Sequence, residues 1–163
     1  MAGNYYSADP INFESVSAVT ATPSVGVGAI RVHDGETYEY VYASLTIPVG
    51  YGAVLTGTSG HSVVATGSVS GEMCYGAAKH ADINASSYGW LLKKGVLDAK
   101  NGRASTAPVV NQVARLGADG AFVTDVMVAT TAIDHGHVVG KVLSAGASGG
   151  TGASLSLLFI SVY

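Results

Sequence analysis

The chain has 163 residues, of which 48% are hydrophobic and only 12% are charged, and its net charge is −3. This length suits one domain with its own core, and the small net charge argues against binding to nucleic acid or to an anionic membrane. The charged fraction lies well below the usual share of about 25%. We therefore expect an oligomer or an assembly component, with a monomer whose surface is rich in Ser and Thr as the alternative.

Charge is unevenly distributed along the chain. Residues 1–78 hold six acidic residues against one basic residue, Arg31, whereas residues 79–115 hold six basic residues against Asp82 and Asp98. This polarity predicts either unlike patches that meet across a subunit interface or two ordinary solvated faces.

The N-terminus lacks the basic and apolar regions of a signal peptide, and no apolar run approaches the roughly 20 residues that span a bilayer. We expect a protein made and kept in a cytoplasm unless another route exports it. Residues 1–14 are predicted to form an extended arm before a single β domain at residues 15–163. The arm's Tyr5, Tyr6, Ile11 and Phe13 are costly to leave in water, so the arm docks either on a neighbouring subunit or on its own domain.

The first clear strands flank a turn. Val25–Val32 leads into His33-Asp34-Gly35, a hairpin signal, and Thr37–Ile47 then alternates strictly. One face of this second strand is aliphatic and is the predicted core side: Val41, Ala43, Leu45 and Ile47. The other face carries three tyrosines, Tyr38, Tyr40 and Tyr42. That face meets either a partner protein or a second sheet of the same domain.

Further short strands are separated by glycines. They are predicted near Ala53–Leu55, Ser62–Thr66, Glu72–Ala77 and Val138–Leu143. The last strand, Ala153–Val162, is apolar on both faces and is therefore expected to be central. Pro108–Leu116 favours a short helix and a strand equally. Eight to ten short strands predict an all-β fold, a small antiparallel β-barrel or jelly-roll-like β-sandwich with the N-terminal arm.

No catalytic constellation emerges. His135 and His137, with Asp134 before them, form the best metal candidate, but no third ligand lies nearby and a polar turn explains them equally well. The glycine-rich segments lack the Lys-Ser/Thr of a phosphate-binding loop. Cys74, the single cysteine, has no evident partner histidine and is expected to be buried. We predict no enzyme activity, no metal and no cofactor.

One segment is more particular. Residues 75–95 contain the pattern Asp-Ile-x-Ala-x-x-Tyr-Gly-Trp, followed by a strand and a glycine, and residues 137–143 precede a glycine-rich loop and an apolar strand. Over residues 75–163 the chain resembles the head decoration, or cement, proteins of tailed bacteriophages. The resemblance implies a β-barrel or β-sandwich, commonly trimeric, seated on the outer capsid surface. It also implies that the protein binds the major capsid protein and cements neighbouring capsid subunits.

A surface module without catalytic activity, for carbohydrate or host attachment, is the competing hypothesis, because exposed tyrosines and a tryptophan can stack on sugar rings. A bacterial interaction protein is a third option. Trp90, the sole tryptophan, anchors either a core or an interface. The candidate partner interface comprises Tyr5, Tyr6, Pro10, Ile11, Phe13, Tyr38, Tyr40, Tyr42 and Trp90.

Overall fold

A computed structural model describes residues 15–56, 62–65, 73–102, 108–117, 119–125, 138–144 and 154–160. These residues form ten β-strands and no helix, so the all-β prediction is confirmed. The strands are β1 (Ile30–His33), β2 (Glu36–Ala43), β3 (Gly52–Leu55), β4 (Ser62–Ala65), β5 (Gly76–Ala78), β6 (Ser87–Lys100), β7 (Val113–Leu116), β8 (Phe122–Asp125), β9 (Val138–Ser144) and β10 (Ser154–Ile160). Within these residues there is also no helix long and apolar enough to cross a bilayer.

The predicted hairpin joins β1 to β2. His33 pairs with Glu36, and the two residues between them, Asp34 and Gly35, have φ angles of 52° and 78°. Two consecutive positive φ values are the signature of the type I′ turn, whose twist matches that of the flanking strands. Asp-Gly is favoured there because both residues tolerate this backbone region.

The pairings fall into two groups that meet where β6 pairs with β10. In the first group β2 pairs with β1, β4 and β6, and β3 pairs with β4 and β5; in the second, β9 lies between β10 and β7, and β7 pairs with β8. All pairs are antiparallel except the short parallel contact between β2 and β4. β10 lies between β6 and β9, as its apolar sequence predicted.

β2 is buried on both faces. Tyr38 and Tyr40 belong to one buried cluster, whereas Val41 and Ala43 belong to the other. The predicted core position of Leu45 is wrong: its side chain is 57% exposed. The reason is that β2 ends at Ala43 and the chain bends at the next two residues, which stops the alternation of faces.

The larger buried cluster packs the two strand groups together. It joins Tyr40 of β2 and Leu92 of β6 to Leu116, Phe122 and Val142 of the second group. The smaller cluster lies on the opposite face of β2. Burial of the apolar side chains in these two clusters is the main favourable term in folding.

β6 is the longest strand, and it contains a β-bulge. Thr37 pairs with Lys94 but Tyr38 pairs with Leu92, so Lys93 is an extra residue on β6. Such bulges bend a strand and redirect side chains. The bulge falls where the pairing of β6 with β2 ends and its pairing with β10 begins, and Lys94 pairs with both strands.

Candidate functional site

The three tyrosines on one face of β2 differ in burial: two are buried and one is half-buried. Tyr38 and Tyr40 are 1% and 0% exposed, and Trp90 is 6% exposed. These three side chains lie inside the domain, so the hypothesis that they form a partner interface is corrected: they pack within the same domain. Tyr42 is half-buried and is the part of this face that solvent reaches.

An aromatic cluster continues from the buried tyrosines towards the surface. The Tyr40 ring lies 5.0 Å from Trp90 and 6.1 Å from Tyr88, and Tyr42 lies 5.1 Å from Tyr88. Tyr88, which is also half-buried, was not among the candidate residues, although pairing of β2 with β6 places it opposite Tyr42. Tyr42 and Tyr88 therefore form the accessible end of the cluster.

The hydroxyl of Tyr40 explains why that residue tolerates complete burial. It lies 3.1 Å from the Thr20 hydroxyl and accepts hydrogen bonds from the backbone N–H and the hydroxyl of Ser24, each at 3.2 Å. The indole Nε1 of Trp90, in contrast, is buried with no hydrogen-bond partner among the described residues. Trp90 thus contributes apolar area rather than a polar contact.

The N-terminal candidates Tyr5, Tyr6, Pro10, Ile11 and Phe13 lie outside the described residues, as do His135 and His137. In the described part of the chain, no group of three His, Cys, Asp or Glu side chains is placed to hold a metal ion. Cys74 is buried and its thiol donates to the Gly76 carbonyl. Burial raises the pKa of the Cys74 thiol to about 12, which disfavours the reactive thiolate.

Glu36 is the centre of a first polar cluster at the start of β2. Its Oε2 accepts hydrogen bonds from the Tyr38 hydroxyl and the Lys79 ammonium, both at 2.5 Å, and its Oε1 accepts one from the Val96 backbone N–H at 2.8 Å. His80 Nε2 lies 2.8 Å from the Tyr38 oxygen. Because the single Tyr38 proton goes to Glu36, His80 is the donor in this contact.

The protonation of these groups follows from burial and hydrogen bonding. Burial alone would raise the pKa of Glu36, but the hydrogen bonds from Lys79, Tyr38 and Val96 outweigh it and hold that pKa below its usual value. Burial, together with the Glu36 carboxylate, raises the pKa of Tyr38. Burial and the Lys79 charge lower the pKa of His80. The cluster therefore contains an ionised carboxylate with a neutral phenol and a neutral imidazole at neutral pH.

A second polar cluster, formed by Glu39, Tyr75 and Lys93, is more deeply buried. Tyr75 donates its hydroxyl proton to Glu39 Oε1 at 2.5 Å, and Lys93 Nζ lies 3.3 Å from Glu39 Oε2. The same ammonium lies 3.2 Å from the centroid of the Tyr75 ring, which adds a cation–π contact. Burial lowers the pKa of Lys93, and the Glu39 charge partly offsets this effect.

Both clusters connect the acidic N-terminal half of the chain to its basic middle. Glu36 pairs with Lys79, and Glu39 pairs with Lys93. Four of the unlike charges that suggested either an intersubunit attraction or two solvated faces are thus joined in two pairs within one chain. The sequence showed the charge polarity, but only the pairing of β6 with both β2 and β5 shows which charges meet.

The surface also carries apolar side chains that sequence patterns did not identify. Ile30 and Val32, on β1, are 60% and 70% exposed. In the part of the chain that the structure describes, β1 pairs only with β2. The sequence pattern of Val25–Val32 did not predict this exposure. The exposure depends on the position of β1 at an edge of the sheet, which the pattern does not show.

The comparisons with known proteins concern the fold alone. No family model matches the chain, and no curated protein matches its sequence. Among solved structures, the chain is similar to the N base of the head fibre gp8.5 of bacteriophage phi29, with a TM-score of 0.53 and 11% sequence identity. The match covers 76% of this chain and 93% of that one.

Proposed function

We propose that this chain is a structural virion protein of a bacteriophage, displayed on the outer surface of the capsid. The observation that carries the proposal is the fold match to a head fibre base, which covers nearly all of that base. Because the two sequences are only 11% identical, the likeness supports the role through shared architecture. The low charged fraction and the exposed apolar residues of β1 agree with a protein that contacts other proteins.

Within this role we propose a decoration protein that binds the major capsid protein, cements neighbouring capsid subunits and acts as a homotrimer. Many copies on one shell multiply modest individual contacts by avidity. The resemblance of residues 75–163 to cement proteins supports this finer assignment. The fold also fits a barrel-like body, since the pairings of β2 with β4, β4 with β3, β3 with β5 and β5 with β6 return to β2.

The competing carbohydrate-binding module has less support. Three of the four aromatic residues that would stack on sugar rings, Tyr38, Tyr40 and Trp90, are buried. Of these four residues, Tyr42 alone is half-buried rather than buried, as is its neighbour Tyr88. A sugar platform needs exposed ring faces, so the described aromatic residues favour a role in packing.

Binding to empty shells tests the proposal. The purified chain is mixed with shells assembled from the major capsid protein encoded in the same genome, and shells of an unrelated tailed phage serve as the control. We expect saturable co-sedimentation with the cognate shells and a higher melting temperature of the decorated shells. Absence of binding to the cognate shells would overturn the cementing role. Equal binding to both kinds of shell would show non-specific adhesion and contradict it too.

A further inference from the structure

Glu39, Tyr75 and Lys93 form a cluster that a surface role in a virion does not use. The side chains of Lys93 and Glu39 are only 12% and 7% exposed. Removing two charges from water is unfavourable, and a buried ion pair only sometimes repays that cost. A reaction that neutralised both charges would therefore remove this unfavourable burial. The positions of the three side chains allow such a reaction.

The two reactive groups are held together by the sheet. Glu39 lies on β2 and Lys93 on the adjacent β6, where the bulge inserts Lys93 as an extra residue. Lys93 Nζ lies 3.3 Å from Glu39 Oε2, so the amine is already in contact with the carboxyl group whose carbon it would attack. Tyr75 donates to the other carboxylate oxygen, Oε1, at 2.5 Å. One oxygen is thus beside the amine, while the other is held by a hydrogen-bond donor.

We propose that Lys93 and Glu39 condense to form an intramolecular amide that joins β6 to β2. The Lys93 nitrogen attacks the Glu39 carboxyl carbon, and the new bond joins Nζ to Cδ. The bond from Cδ to Oε2 breaks, and Oε2 leaves as water with two protons that the ammonium gave up. The amide nitrogen keeps the third proton. The reaction needs no oxidant, reductant or other reactant.

The surroundings favour each part of this step. Burial lowers the pKa of Lys93, so the neutral amine required for attack costs less than in water. The Tyr75 hydroxyl is placed to stabilise negative charge on Oε1 in the tetrahedral intermediate, and that oxygen becomes the amide carbonyl. Exclusion of water from the cluster opposes the reverse hydrolysis. The product replaces two buried charges with a neutral, hydrogen-bonded group.

The Glu36–Lys79 pair provides a matched comparison. Its two side chains are closer, with Nζ and Oε2 2.5 Å apart, but they are 24% and 15% exposed. That carboxylate is also held in its ionised form by three hydrogen bonds. Water access and the stabilised charge both oppose condensation, so we expect this second pair to remain an ion pair.

Intact mass spectrometry of the full-length chain tests the proposal. After incubation of the purified protein at neutral pH, we expect a species one water lighter than the sequence mass. Protease digestion should give a branched peptide that contains both Glu39 and Lys93, with no tryptic cleavage after Lys93. The lighter species should be absent in Lys93→Arg and retained in Lys79→Arg. Tyr75→Phe should lower the linked fraction after the same incubation.

The measurement on the unaltered chain decides the matter even if a variant fails to fold. A chain that keeps its full sequence mass after prolonged incubation would show that Glu39 and Lys93 form an ordinary buried ion pair. A water loss that maps to another pair of residues, or that persists in Lys93→Arg, would equally overturn the proposal. A linked fraction unchanged in Tyr75→Phe would contradict the part assigned to the Tyr75 hydroxyl.

Discussion

At the scale of single residues, Glu36 is the carboxylate whose surroundings give the clearest pH dependence. Its folded pKa lies below the usual value of 4.5, so its contribution to stability is complete above that value and is lost as the pH falls through the folded pKa. Glu36→Gln should therefore lower the free energy of unfolding at neutral pH by about 1.5–3 kcal/mol, the range for hydrogen bonds to charged groups. Urea unfolding followed by circular dichroism across acid and neutral pH would measure the difference.

The matched control for Glu36 is Asp34, two residues earlier. Its side chain is 87% exposed beside His33, and such surface pairs contribute little. Asp34→Asn should leave the free energy of unfolding nearly unchanged at every pH. If the loss in Glu36→Gln were as large in acid as at neutral pH, the ionised carboxylate would not be the cause.

Trp90 gives a second prediction at this scale. Because its Nε1 has no hydrogen-bond partner among the described residues, Trp90→Phe should cost less than about 2 kcal/mol, mainly through lost volume. Trp90→Ala should cost about 3–5 kcal/mol, since it leaves a large cavity. Urea unfolding followed by circular dichroism would measure both. Equal losses in the two variants would show that the indole N–H, and not the ring, stabilises the fold.

The burial of a single residue could be predicted from the sequence where it depends on local alternation, but not where it depends on residues distant in sequence. The alternation in β2 correctly separated Tyr38 and Tyr40 from Val41 and Ala43, because alternation is a local property of a strand. It did not show that both faces are covered, because the cover comes from Leu116 and Phe122, which are distant in sequence. The Lys93 contact with Glu39 was missed for the same reason, since it depends on a bulge and on strand pairing.

At the scale of strands, Gly52 shows how closely the two groups approach. A Cβ atom at this position would lie 2.5 Å from Leu116 Cδ1, 2.9 Å from Cys74 Sγ and 3.0 Å from Phe122 Cζ. Gly52→Ala should therefore overpack the contact of β3 with the second strand group and cost about 1–3 kcal/mol. Gly26→Ala is the control, because nothing lies within 4 Å of its added methyl group.

Thermal unfolding of the two alanine variants would measure this difference. We expect a lower melting temperature for Gly52→Ala and an unchanged or slightly higher one for Gly26→Ala, since alanine reduces the entropy of the unfolded chain. A Gly52→Ala protein with the parent melting temperature would mean that the neighbouring side chains move aside without cost.

Strands were predictable where turn chemistry marked their ends. Asp34-Gly35 located the β1–β2 hairpin to the residue, because few other residue pairs adopt two positive φ values. Pro108–Leu116 could not be resolved, because its apolar spacing fits a helix and a strand equally; the structure has a turn followed by β7. Pairing with β8 and β9 decides that segment, and such tertiary partners are absent from a local pattern.

At the scale of the whole molecule, the proposed homotrimer is directly measurable. Two observations support the homotrimer: the low charged fraction and the exposed Ile30 and Val32. Association is favoured when a partner covers apolar surface of this kind. Mass photometry or sedimentation at micromolar concentration should show three copies per particle. A compact monomer, both alone and with capsid shells, would contradict the proposal.

The proposed N-terminal arm gives a further test at this scale. Deletion of residues 2–12 should leave a folded protein with nearly the parent melting temperature, because the described strands begin only at Ile30. The same deletion should weaken attachment to shells or to neighbouring copies, and Tyr5→Ala with Tyr6→Ala should give part of that loss. Unfolding of the truncated chain would assign the arm to the domain core, and undiminished attachment would contradict its role in assembly.

The pairing of β2 with β6 has a consequence for how the protein is made. Residues 37–43 pair with residues 87–94, so β2 cannot meet its longest partner until the ribosome has passed β6. Until then β2 can pair only with β1 and β4, and its tyrosines and valine stay incompletely covered, which favours aggregation. Non-local pairing also slows folding after synthesis ends. Slower translation or a lower growth temperature should therefore raise the soluble yield of this chain more than it would for a helical protein of the same length.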